Sequence, residues 1–543
     1  MKTKRFGILA ILFLASVSCN DNKIETPTGI TGLTEEVYFE QVGDVNSIGL
    51  TEHYELLIQQ ATANNAEENA SLLKHLEKEL DAAEEYQQEC INQSGANSDV
   101  GVDGSGGKNR LLGYQYSTIR YKSIDYNGNP AMLSTLVVWP FNNLVADDDA
   151  QNVVIGCHVT YGSNSERPTN YSKNSIMSDV GMLACCAKSS AGIDTQYHNL
   201  VIIPDYQGFG ATHGDVHPYL SQEITARQVL DGVRAGIAYY QQTHKLNKDW
   251  KSVSTGYSQG GSVAMAVHKY IEQNNLVDEF NFAGSVCGSG PYDPVATLQK
   301  YISTNYVYMP VAAAMMMYSM CHTNPRLKGK YKIEDFISKK FLDSGVITMI
   351  EEKKLITDEM QEQLLQYSGS YNMADEDKFL MHRLSKDDYR YYPYRKDTKD
   401  SHNWSAGYIR TARTETCDLL DEKTYLYFKE NGKPSVSGDY TAVQGLWDAL
   451  EDNVLYRDWT PSHPIFLYHT EEDEVVVVEN FQNCLKAWEG SNMVKGTIYK
   501  GLTETHVSYG SCFYLFHCGE GISAIFDGRT DDYEFSRIDR AIF

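Results

Sequence analysis

Gly256-Tyr257-Ser258-Gln259-Gly260 limits the possible folds of this chain more than any other stretch. Glycine two places before and two after a serine lets a chain leave a strand and enter a helix through one sharp turn, with the serine at its apex. Ahead of it, Ser252-Val253-Ser254-Thr255 alternates small and β-branched residues like a short buried strand. Behind it, Gly261 to Val267 reads as a packed helix. The five residues alone are a weak signal, and this flanking context makes them specific. Ser258 is the candidate nucleophile. Gln259 offers the first backbone N–H after it, and Tyr257 is placed to flank a bound substrate.

A serine hydroxyl barely ionises at neutral pH, so it needs a histidine to take its proton and a carboxylate to orient that imidazole. Pro464 to His469 is an apolar strand that runs into Thr470-Glu471-Glu472-Asp473-Glu474, which places carboxylates at a strand's carboxyl end. Asp473 is the choice, with its acidic neighbours as alternatives. Of fifteen histidines only His506 and His517 follow it. His506 lies in a loop after the strand pattern Val494 to Tyr499. His517 sits in the apolar run Phe513 to Phe516 and reads as a core residue.

An anion forming on a substrate carbonyl needs two N–H donors. Gln259 supplies one. The other is expected in His158-Val159-Thr160-Tyr161-Gly162, after the buried strand Val153 to Cys157, with Thr160 first and Val159 second. Tyr206 follows the apolar strand Leu200 to Ile203 and is a candidate for lining the substrate site. Its neighbour Asp205 is read either as part of that site or as a holder of the glycine-rich loop. His469 has no second histidine or cysteine at ligand spacing, and neither a zinc-peptidase helix nor a calcium loop occurs, so no metal and no cofactor is implied.

Cys157-His158-Val159-Thr160, Pro204 to Gly210, the turn at Ser258, Pro464 to Asp473 and Thr505-His506 come in an order that resembles the α/β-hydrolases, and among them the secretory lipase family of lipase A-like enzymes. The resemblance spans about residues 110–525. It implies an α/β fold with a mostly parallel sheet flanked by helices, a large helical cap, and a serine esterase or lipase. At Val159 the chain departs from the usual His-Gly pair.

Lys2, Lys4 and Arg5 precede the apolar run Phe6 to Val17, a signal sequence too short to span a bilayer permanently. Cys19 directly follows Ser16-Val17-Ser18, as in a bacterial lipoprotein signal whose cysteine is acylated; ordinary cleavage and secretion is the alternative. Loss of residues 1–18 removes three basic and no acidic residues, which moves the formal charge from −25 to −28. Such acidity excludes nucleic acid and anionic lipid as partners. Location in the cell envelope follows, with membrane attachment through Cys19. Ten cysteines remain after Cys19, and Cys157, Cys185, Cys186 and Cys287 lie in apolar surroundings that suit buried thiols.

The predicted organisation is a signal peptide over 1–18 and a tether over 19–50. An N-terminal helix and flexible joint follow over 51–107, with Thr51 to Asn92 helical. The catalytic body takes 108–292 and 460–543, and a cap insertion takes 293–459. Tyr114 to Lys122 and Met132 to Trp139 pair through Asn127-Gly128, and strands near 153, 201, 253, 283, 465 and 496 complete the sheet. Cap helices are expected at Lys332 to Leu342 and Ile347 to Leu365. The methionine-rich Val311 to Tyr318 is either an acyl-facing wall or cap core. Hydrolysis of a small-molecule, lipid or glycan ester is the expected function. A serine peptidase of the prolyl oligopeptidase type and a non-catalytic binding lipoprotein are the alternatives. About ninety residues between signal and body are too few for the peptidases' propeller.

Overall fold

The computed structural model describes residues 23–24, 37–65, 70–94, 112–142, 150–187, 198–356, 359–360, 364, 382–383, 412–471, 473–500 and 506–535. The signal sequence, Cys19, Thr505 and most of the joint at 95–107 lie outside these residues.

Among the described residues, eleven strands form one sheet. In chain order its strands are β1 (Lys23–Ile24), β2 (Val37–Gln41), β3 (Asn46–Gly49), β4 (Leu112–Ile124), β5 (Pro130–Asn142), β6 (Asn152–Cys157), β7 (Asn199–Pro204), β8 (Ser252–Tyr257) and β9 (Phe282–Gly288). Three short strands, β10 (Tyr306–Val307), β11 (His382–Arg383) and β12 (Ala412–Glu415), pair separately, and β13 (Ile465–Thr470) and β14 (Val494–Tyr499) return to the main sheet. Six neighbours, β7-β6-β8-β9-β13-β14, are parallel, and β5, β4, β2 and β3 extend the β7 edge in antiparallel fashion.

Alternation along β6 and β7 builds two cores. Val153, Ile155, Leu200 and Ile202 face the helices at 222–240 and 259–273, while Val154, Val201 and Ile203 face those at 50–65, 179–184 and 519–526. Because β7 and β8 flank β6 on opposite sides, the strand order reverses there. The loops after β6, β7 and β8 therefore open onto one crevice, where α/β sheets bind ligands.

The β4–β5 hairpin turns at Asn127-Gly128, with Gly128 at φ +82° and the Asp125 carboxylate accepting from the N–H groups of Asn127 and Asn129. Two expectations about the N-terminal region need correction. The tether fails for 37–49, because β2 and β3 pair with β4. Thr51 to Asn92 is not one helix but two, Leu50–Asn65 and Ala70–Ser94, packed on each other.

In the cap, Lys332 to Leu342 breaks into a 3₁₀ turn and one helical turn, because Ile337 leaves the helix to bridge Leu420. The next helix stops at Glu352, since Lys353 turns to φ +49° and its ammonium donates to the carbonyls of His213 and Asp215. Met315, Met316, Met317 and Met320 belong to a third core with Leu298, Val311, Phe336 and Leu446, so the methionine run is cap interior.

Among the described cysteines none is disulfide-bonded. Cys157 and Cys287 are buried, whereas Cys185 and Cys186 are only half-buried. No described helix is long and apolar enough to cross a membrane.

Candidate active site

β8 delivers Ser258 into a turn with φ +55° and ψ −124°, a conformation that L residues rarely adopt. The turn is tight enough to require both glycines. A Cβ on Gly256 would lie 2.4 Å from the Cys157 carbonyl oxygen, and one on Gly260 would lie 2.1 Å from the same atom. The Ser258 N–H donates to the Gly288 carbonyl at 2.9 Å, and its own carbonyl accepts from Ser262 N to open the helix over 259–273.

His506 begins a helix, and its ring bridges the two other candidates. Nε2 lies 2.9 Å from Ser258 Oγ, and Nδ1 lies 2.7 Å from Asp473 Oδ2. A carboxylate only accepts, so Nδ1 carries the proton and Nε2 is left as an acceptor for the serine hydroxyl. The second oxygen of Asp473 is held by the N–H groups of Val475 at 3.1 Å and Val476 at 2.7 Å. Burial pushes the Asp473 carboxyl up, but the His506 imidazole beside it outweighs that and holds it below its ordinary value. Burial likewise pushes His506 down, and the Asp473 charge overcomes it and raises the imidazole.

Sequence reasoning missed what fixes this ring. Glu474 accepts the His506 backbone N–H at 3.0 Å, and the Tyr257 hydroxyl donates to the His506 carbonyl at 2.7 Å. Burial and the neighbouring Asp473 push the Glu474 carboxyl up to about 7. His517 is buried between the rings of Tyr468 and Tyr499, and burial lowers its imidazole to about 3.

Gln259 is the first residue of its helix, so its N–H has no intrahelical partner, and its side chain is held 2.9 Å from His217 Nε2. Thr160 lines the same cavity as Ser258, with its hydroxyl 3.0 Å from that of Tyr219. Val159 does not suit the donor role. Its N–H is already given to Asp179 Oδ2 at 2.9 Å, and the other oxygen of that half-buried carboxylate takes the Tyr161 hydroxyl at 2.5 Å. A backbone donor committed to a carboxylate cannot also meet a substrate oxygen. The signal for Asp179 is absent from local sequence, because it acts from a helix twenty residues downstream.

A cavity of about 700 Å³ opens beside Ser258 and His506, lined further by Thr160, Tyr161, Tyr257, Met309 and Tyr514. Tyr257 borders it as expected. Tyr206 does not: at φ +57° its buried ring turns under the loop, stacks 3.8 Å from His158 and donates to the His158 carbonyl. Asp205 holds the loops, accepting from Ser134 Oγ at 2.5 Å, Thr169 N at 2.9 Å and Thr169 Oγ1 at 2.6 Å.

Residues 195–372 match the model of the secretory lipase family. The chain has the α/β-hydrolase fold and over that stretch resembles the secretory lipases. It is a lipase-like hydrolase. The matched stretch holds Ser258 but ends before Asp473 and His506. Among solved structures, the rice cell wall degrading esterase LipA from Xanthomonas oryzae is 18% identical, with a TM-score of 0.53 over 79% of this chain and 94% of its own. A protein from Legionella pneumophila is 16% identical, with a TM-score of 0.53 over 78% of this chain and 91% of its own. Candida antarctica lipase A in its closed state is 14% identical over 76% of this chain and 78% of its own, at a TM-score of 0.46. At these identities the likeness to the first two is one of fold. A search of the curated proteins found no match to the chain.

Proposed function

We propose that the protein hydrolyses carboxylic esters through an acyl-enzyme. Ser258 Oγ attacks the ester carbonyl while His506 Nε2 takes its proton, and Asp473 orients and stabilises the imidazolium. The tetrahedral oxyanion is met by the N–H groups of Gln259 and Thr160. Collapse breaks the bond to the alcohol, which leaves with the proton from His506. Water, deprotonated by the same imidazole, then releases the acid and restores Ser258. What carries this reading is the single ring of His506 standing 2.9 Å from the hydroxyl and 2.7 Å from the carboxylate.

The body at 108–292 and 460–543 would supply this chemistry, and the insertion at 293–459 would roof it. The family's description as secretory speaks for an exported protein. We place it in the bacterial cell envelope as a lipoprotein held by acylated Cys19, acting on small-molecule, lipid or glycan esters.

The test is Ser258→Ala assayed with acyl p-nitrophenyl esters of increasing chain length and with a fluorophosphonate label. Loss of about 10⁶-fold in kcat and of all labelling is expected. Labelling that persists in the variant removes Ser258 from the mechanism. Cleavage of proline-amide p-nitroanilides faster than the esters would favour a peptidase.

A further inference from the structure

We propose that His268, Glu272 and His463 form a binding site for one divalent transition-metal ion, of which zinc is the fitting member, remote from the reacting serine. Among the described residues, one group of three such side chains has its ligand atoms all within 4.8 Å of one another, and it is this one. His268 and Glu272 stand four residues apart on the last turns of the helix at 259–273, hence on one face, and His463 comes from the segment that leads into β13.

The spacing fits an ion. Glu272 Oε1 lies 3.0 Å from His268 Nε2 and 2.8 Å from His463 Nδ1. Ligand bonds of about 2.0–2.2 Å in tetrahedral array put neighbouring ligand atoms roughly 3.4 Å apart, inside the range this cluster spans.

The hydrogen bonding around Glu272 is the second observation. Five polar groups crowd Oε1: His268 Nε2, His463 Nδ1, His463 N at 2.9 Å, Ser462 Oγ at 2.8 Å and Ser462 N at 3.0 Å, the last shared with Oε2. A carboxylate oxygen offers about two lone-pair directions, so this is more than it can accept. An ion seated between the three groups replaces the two imidazole contacts on Oε1 with one metal bond and so relieves the crowding. Both imidazole nitrogens then give up their protons and turn lone pairs to the metal, and Oε1 shares its charge with it.

The surroundings suit a ligand set. His268 Nδ1 is 2.8 Å from Ser285 Oγ, the outer hydrogen bond that orients a ligating imidazole. Trp459 Nε1 donates to Glu272 Oε2 at 2.7 Å, which fixes the carboxylate with Oε1 toward the two imidazoles. Two imidazoles and one carboxylate favour zinc over calcium or magnesium. Ser462 Oγ, 3.2 Å from His463 Nδ1, or a water completes the shell. His268 is fully buried and His463 is 27% exposed, so the site opens to solvent on one side.

Ten helical residues separate His268 from Ser258, or roughly 15 Å. The ion is therefore a clamp: it ties the helix headed by Ser258 to the strand that ends beside Asp473, and it does not enter the hydrolysis.

Untagged protein, stripped with EDTA and dialysed, is titrated with zinc chloride by calorimetry, with metal content after dialysis measured by mass spectrometry. One zinc per chain, a higher Tm and a change in tryptophan emission are expected, with p-nitrophenyl ester hydrolysis retained by the stripped protein. His463→Ala and Glu272→Gln should bind at least tenfold more weakly, ester hydrolysis showing that each variant is folded. Cobalt(II) added to the unmutated protein should give visible bands of imidazole-ligated metal. No stoichiometric binding at a hundredfold excess of zinc, or His463→Ala titrating like the wild type, overturns the proposal.

Discussion

The carboxylate at 473 does two things to the imidazole at 506, and they separate experimentally. It holds Nδ1–H in place through a 2.7 Å bond, and its charge lifts the imidazole above its ordinary pKa against the opposite pull of burial. A protonated imidazole cannot accept the serine proton, so kcat/KM of the wild type should rise with pH through an apparent pKa above 6.5. Asp473→Asn removes the charge and leaves burial. Activity should fall by about 10⁴-fold, and the remaining acid limb should move to lower pH, because the largest raising influence is gone while burial stays and only the Glu474 charge still lifts the ring. A pH profile of kcat/KM for both proteins checks this, and an unmoved limb would mean that another carboxylate orients the ring. The sequence made this trio legible because strand patterns fix where a carboxylate and a histidine can emerge, and few candidates follow Ser258. Val159 and Tyr206 were misjudged for one reason. Whether an N–H is free or a ring faces the crevice depends on Asp179 and on a positive φ at 206, neither of which is written locally.

Among the elements, the β8 turn was the most readable because steric exclusion by backbone atoms leaves glycine alone at two positions. Gly260→Ala puts a methyl 2.1 Å from the Cys157 carbonyl oxygen and 2.8 Å from that of His158, both in the strand and loop that precede Thr160. A cost of roughly 3 kcal/mol is expected, with lost activity because the Thr160 loop must retreat. Gly214→Ala, where a Cβ meets nothing within 4 Å, serves as the control, at under about 0.5 kcal/mol. Urea unfolding of the two variants measures the contrast, and equal stabilities would refute the steric account. The cap helices were less readable because tertiary partners end them early. Ile337 finds Leu420 and Lys353 finds two carbonyls, so helical periodicity continues in the sequence past the point where the helix stops. The cluster at 268, 272 and 463 was invisible for a related reason: its third member lies 191 residues from Glu272.

On the scale of the molecule, the N-terminal helical pair is part of the hydrolase body rather than an appendage. Leu50, Tyr54, Leu57, Ala61, Leu76 and Ala83 enter the same core as Val154, Val201 and Phe466 of the central sheet. The pair also braces the active-site wall. Gln60 Nε2 donates to the Lys173 carbonyl at 3.2 Å and Glu52 pairs with the Lys173 ammonium, while Ser172 and Asn174 on either side line the cavity next to Ser258. The half-exposed ion pair contributes little, and the buried apolar face carries the attachment. Leu57→Ala should therefore cost about 2–5 kcal/mol in urea unfolding, a core penalty from a residue two hundred positions ahead of the serine. Glu52→Ala should change stability by less than about 1 kcal/mol. If Leu57→Ala cost no more than Glu52→Ala, the pair would be a peripheral arm. Its loss would then leave the cavity wall standing, which its packing against the sheet argues against.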